Sequence, residues 1–120
     1  MSTALHDDLT ANPQTAVIYT RADGVISFWN AGAEKLFGHS VTAAIGQRLD
    51  LIVPEEYRAM HWAGFDRTIG SNWRGSGEWG PVEGLHKNGS RVAVEVFLTP
   101  LHGDAPGVSG VMALFRVPSP

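Results

Sequence analysis

Short apolar runs separated by glycine-bearing turns set the pattern of this chain, and they predict strands at both ends with helices between them. Ala16–Thr20 reads as a strand, Asp23-Gly24 as a hairpin turn, and Val25–Trp29 as the returning strand. Asn30 stands at a helix cap before Ala31–Phe37, and Gly38 stops that helix. Ser40 caps a second short helix that closes at Gly46. The apolar stretch Leu49–Val53 ends at Pro54, which suits a first helical turn, and Glu55 and Glu56 suit its positive end. The helix that follows, over residues 55–70, is the longest predicted. Three strands complete the chain. Glu78–His86 leads to a turn at Asn88-Gly89, Arg91–Leu98 is rich in β-branched residues, and Val108–Val117 follows the turn at Gly103–Gly107. The order β-β-α-α-α-β-β-β predicts an α+β domain, an antiparallel sheet with helices packed on one face. Residues 1–14 read as an N-terminal arm, 15–117 as the domain and 118–120 as a tail.

Composition narrows the function classes. The apolar fraction of 43% and charged fraction of 18% are those of a globular chain. A length of 120 residues fits one domain and leaves no room for an output module. The net charge of -3, without a run of Lys or Arg, argues against nucleic-acid and membrane-surface partners. No segment has the pattern of a signal peptide or a membrane span, so the cytoplasm is the expected location. The absence of cysteine excludes disulfides, thiolate metal sites and thiol-linked chromophores. His6, His39, His86 and His102 show no metal-ligand spacing on a helix, which argues against zinc or non-haem iron. Glu83 and Glu95 read as exposed strand residues rather than a catalytic pair. No nucleophile turn or phosphate loop is present.

Asp23-Gly24, Ile26–Asn30, Ala33–Gly38, Ile45-Gly46, Ile52–Pro54 and Lys87–Gly89, in this order and spacing, resemble the PAS family of sensor domains. The likeness runs over about residues 15 to 117. It implies a PAS fold: a five-stranded antiparallel sheet with a ligand pocket between sheet and helices. Members of the family bind haem, flavin, carboxylates or other metabolites, and some only dimerise. Within the family, Pro54–His61 followed by Arg67 is similar to the helix of haem-containing gas-sensing domains. That likeness implies non-covalent haem b, with iron bound by His61 and a diatomic gas on the side of Val94, Val96 and Leu98. The subgroup carries an arginine on the strand before the Asn-Gly turn. Here the stretch reads Glu78–Val82 without one, so oxygen, carbon monoxide and nitric oxide all stay open, and the indole N–H of Trp79 offers a donor.

The residues bear on that implication directly. A mid-helix histidine is rigidly placed, which suits an iron ligand; taken alone it reads as a partly buried, hydrogen-bonded side chain. Tyr57, Gly64, Phe65 and Thr68 share its face at helical spacing. Gly64 costs roughly 1 kcal/mol relative to alanine in a helix, explained by close approach of a flat ligand or by tight packing against a strand. Arg67 and Arg74 are the best partners for the haem propionates; the alternative is that both are solvated surface charges, and for Arg74 that is the expected state. Competing expectations are a non-haem module binding flavin or a small metabolite, a module acting only in dimerisation, and a small haem enzyme using peroxide. The signal is expected to leave through a separate signalling protein or a homodimer.

Overall fold

The computed structural model describes residues 15–118 and carries five strands and three α-helices among them. The expected N-terminal arm, with His6, lies outside the described residues, as does the end of the tail. In chain order the elements are β1 (Ala16–Arg21), β2 (Ile26–Trp29), α1 (Ala31–Phe37), α2 (Val41–Ala44), α3 (Arg58–Thr68), β3 (Gly80–Leu85), β4 (Arg91–Leu101) and β5 (Gly110–Arg116). Every strand pairing is antiparallel and the order across the sheet is β2-β1-β5-β4-β3. The expected α+β class and five-stranded sheet are what forms.

Local chemistry explains the first half. Gly24 takes φ 81° in the turn between β1 and β2, a left-handed conformation that favours glycine. Asp23 accepts the Val25 N–H there at 3.1 Å. Asn30 caps α1 by accepting the Ala33 N–H at 2.9 Å. The same Oδ1 accepts the Val17 N–H at 2.8 Å, and Nδ2 donates to the Thr15 carbonyl at 2.9 Å. One buried amide therefore ties the helix start to β1. Ser40 caps α2 through the Ala43 N–H at 3.2 Å.

The two faces of the sheet differ in what covers them. Ile18, Val94, Ala113 and Phe115 face the helices in one core with Trp29 and Phe37. Val17, Met112 and Leu114 face the other way, with Tyr19, Phe28, Trp79 and Phe97 beside them. The β1–β2 register shifts between Tyr19 and Thr20, a bulge that lets both Ile26 and Trp29 point inward.

Two details differ from the sequence expectation. The stretch expected to be one helix over 55–70 is a 3-10 turn, Glu55–Tyr57, followed by α3, because Tyr57 sits at φ -103°, ψ -4°, off the helical track. The apolar stretch before it is a second 3-10 turn, Leu49–Ile52. Among the described residues no helix is long and apolar enough to cross a membrane.

Candidate functional site

A cavity of about 720 Å³ lies between the inner face of the sheet and the segment from Leu49 to Thr68. That volume is within the range of roughly 300–1,000 Å³ typical of small-molecule sites. Its floor is β-sheet: Ile18 and Thr20 from β1, Val111, Ala113 and Phe115 from β5, Val96 and Leu98 from β4. Its roof is the 3-10 turns and α3. Tyr57, Met60 and Val82 line it and are exposed, so they form its open side, with Met60 at 70% exposure.

The expected site residues separate into two sets. His61, Tyr57, Gly64, Phe65, Thr68, Val96 and Leu98 line the cavity together. Val94 faces the same side but is buried in the core and does not reach the cavity. Trp79, expected as a pocket wall and donor, packs on the opposite face of the sheet. There its ring meets Phe97 at 5.7 Å, and the Arg116 guanidinium lies 3.9 Å above it. Arg67 and Arg74 are exposed and line no part of the cavity. The reason at Arg67 is angular: six residues at 3.6 per turn set it roughly 120° round the helix from His61.

His61 is the unusual group. Its Nδ1 is shielded from solvent and finds no hydrogen-bond partner; no other buried side-chain nitrogen or oxygen among the described residues is left so. Nε2 makes no protein hydrogen bond either, and it keeps accessible surface. The ring stacks 6.2 Å from Phe65 and meets Trp62 edge-on at 4.6 Å. The expectation of a hydrogen-bonded core histidine is therefore not met. Burial pushes the imidazole below its usual proton affinity; Asp50 opposes that and Arg48 adds to it. Folding therefore favours the neutral ring, the form that coordinates a metal or accepts a hydrogen bond.

The sign of the resulting pH dependence follows. The folded value lies below the unfolded one, so as pH falls below about 6.5 the unfolded chain takes up the proton first and stability drops. His39 is shifted the same way, by burial first and then by Lys87 and His86. Thermal midpoints are expected to fall between pH 7.5 and 5.5, above the carboxylate range, and His61→Gln to fall less steeply. Parallel slopes for the two proteins would contradict this.

Gly64 separates its two explanations. A Cβ there would meet nothing closer than the Arg67 Nη2 at 3.9 Å, so no strand packs against it and the bare backbone faces open cavity. Gly64→Ala is expected to stabilise the protein by about 0.5–1 kcal/mol through helix propensity, read by urea denaturation. A destabilised variant would mean the wall is closer than described.

Several cavity residues were not anticipated. The floor from β1 and β5 was missed, although the alternation in both strands marks Ile18, Thr20, Val111 and Ala113 as one face. Glu83 also reaches the cavity, while Arg91 bridges it and Glu56 at 2.9 and 3.0 Å. Glu95 pairs instead with Arg116 at 2.9 Å, so the two glutamates form no pair. Among the described residues no three His, Asp or Glu side chains gather as a metal site.

The comparisons with known proteins agree with this architecture. The family described as the PAS fold matches residues 9–117. The PAS domain of a protein from Colwellia psychrerythraea superposes with a TM-score of 0.77 at 22% identity, covering 96% of this chain and 94% of that one. A LOV protein of Rhodobacter sphaeroides superposes at 0.69 with 11% identity, covering 96% of this chain and 67% of that one. A probable serine/threonine-protein kinase of Dictyostelium discoideum is 24% identical over 108 residues, 85% of this chain and 7% of the kinase. The chain thus spans a small part of that relative's length. With the sheet order, the helices on one face and the cavity between them, these matches make the chain a member of the PAS family.

Proposed function

We propose that this PAS domain is a small-molecule sensor whose cavity takes a flat, largely apolar ligand, with haem b as the first reading and His61 as the group on iron. The observation that carries the reading is the neutral His61 ring on the cavity wall, with neither nitrogen hydrogen-bonded to protein. Gly64 leaves bare helix backbone beside it, and Phe65, Val96, Leu98 and Phe115 supply apolar surface for a ring system. Bound haem would supply an iron centre that takes a diatomic gas such as oxygen, carbon monoxide or nitric oxide. What the chain itself does is hold a rigid imidazole, keep it unprotonated and exclude water along the sheet floor.

The fit is partial. No Arg or Lys lines the cavity, so the propionates would find no cation in its wall. Nδ1 also lacks the acceptor that usually orients a metal-bound histidine. These two facts favour a second reading, an uncharged organic ligand such as a flavin lacking phosphate, hydrogen-bonded to His61. A thiol adduct with it is excluded, since the chain has no cysteine. Among the described residues no acid is hydrogen-bonded to His61 in the cavity, so use of peroxide as an enzyme ranks below both. A signal would leave through protein contact, either to a second copy or to a signalling protein.

Titration of the purified protein with haemin discriminates the two ligand readings. The first expects a Soret band that saturates at one haemin per chain. A broad band that grows without saturation and matches that of haemin in buffer would leave only the second.

A further inference from the structure

A second hollow of about 530 Å³ is formed where the α1–α2 junction, the Leu49–Ile52 turn and the β3–β4 turn meet. Its wall carries His39, Gln47, Arg48, Arg58, His86 and Lys87. This is a concentration of positive charge in a chain whose net charge is -3. Of the other described cations, Arg21 pairs with Asp23, Arg91 with Glu56 and Glu83, and Arg116 with Glu95, while Lys35, Arg67 and Arg74 stand singly and exposed on the surface. Arg48, Arg58 and Lys87 have no carboxylate partner among the described residues.

The two arginines here are held in place without a carboxylate partner. Arg58 donates Nε–H to the Val53 carbonyl at 2.9 Å and Nη2–H to the Asp50 carbonyl at 3.3 Å, which leaves further N–H donors on its fork. Arg48 lies over the Trp62 ring, 4.1 Å from its centroid. Asp50 is the one acid in the wall, and its carboxylate accepts the Trp62 Nε1–H. His86 Nδ1 accepts the Asn88 N–H at 3.1 Å, so its Nε2 carries the ring proton and is a donor. Burial lowers the proton affinity of His39, and the nearby Lys87 and His86 lower it further.

We propose that this hollow binds a compact small-molecule anion bearing at least two negative charges, the chemistry shared by phosphate esters and dicarboxylates. Two guanidinium forks, an ammonium and an imidazole N–H converge on it, and charge-assisted hydrogen bonds from such groups are among the strong ones. The site is separate from the cavity beside His61 and does not depend on what that cavity holds. It does adjoin the same helix, since Arg58 opens α3 one turn before His61.

The test is an amide NMR titration of the protein with inorganic phosphate and, separately, with succinate at low ionic strength, where exposed charges are least screened. The expected result is saturable shifts confined to the segments that line the hollow, around residues 39, 47–51, 58 and 85–89, with at least one of the two anions, the responding one naming the source. Lys87→Gln should weaken that binding roughly tenfold, while Lys35→Gln, on α1, leaves it unchanged. The Lys87 side chain is exposed and makes no hydrogen bond or ion pair among the described residues, so an unchanged melting curve keeps the comparison valid. Shifts that saturate with neither anion, or equal weakening by both substitutions, would overturn the proposal.

Discussion

His61→Ala is expected to weaken haemin binding by on the order of 100-fold or more, above the ten- to hundredfold change typical of losing a group that only orients a metal ligand. The spectrum should lose its Soret band, and added imidazole should restore it by filling the vacated space. The fold should tolerate the change. The imidazole keeps a buried nitrogen without a partner, a penalty of about 1–3 kcal/mol that the substitution removes. The lost contacts with Trp62 and Phe65 oppose that gain, so denaturation of the unliganded protein should shift by no more than about 1 kcal/mol. A variant that takes up haemin with unchanged affinity and spectrum would remove His61 from the site.

Phe37→Ala carries the largest expected effect on stability, a loss of about 3–5 kcal/mol. Phe37 ends α1 and is fully buried. Its ring meets Phe115 edge-on at 5.2 Å and Trp29 at 6.0 Å. Gly84 on β3 leaves room for it: a Cβ there would stand 2.7 Å from Cε1 of Phe37. Truncation would open a void among groups that cannot collapse, because Phe115 and Gly84 belong to the sheet. Phe115 is also part of the cavity floor, so the loss should extend to ligand affinity. Urea denaturation with an unchanged slope and a lowered midpoint is the expected record. A loss below about 1 kcal/mol would mean that the aromatic layer repacks freely.

Legibility in the sequence followed the range of the interaction. Features set within a few residues were readable: the Asp23-Gly24 turn, the Asn30 and Ser40 caps, the Gly38 stop, and the helical face shared by His61, Gly64, Phe65 and Thr68. Features set by chain-distant pairing were not. The cavity floor depends on Ile18 lying opposite Ala113, and period-two alternation does not say which face of a strand meets the helices. Trp79 was misplaced for that reason. It precedes β3 at the sheet edge, and its ring was free to turn to either side until Arg116 and Phe97 held it on the outer one. Arg67 was misplaced because six residues along a helix also turn it about 120° away from His61. The 3-10 turns before α3 escaped because an apolar stretch ending at proline reads equally as a strand or a helix start.

The tie between Asn30, Thr15, Val17 and Ala33 has a functional side too. It fixes β1 against α1, and β1 supplies Ile18 and Thr20 to the cavity, so the rigid floor and the rigid imidazole face each other across open space. Arg91, which bridges Glu56 before α3 to Glu83 on β3, holds the two sides of the cavity together at one end.

The central claim is that this cavity holds a ligand anchored at His61. Native mass spectrometry of the protein purified from cells supplied with haem precursor tests it most directly. The account predicts one added mass per chain, that of haem b or of a neutral organic molecule, present in the natural protein and absent from His61→Ala. A bare chain mass for the natural protein, unchanged after incubation with haemin or riboflavin, would contradict it.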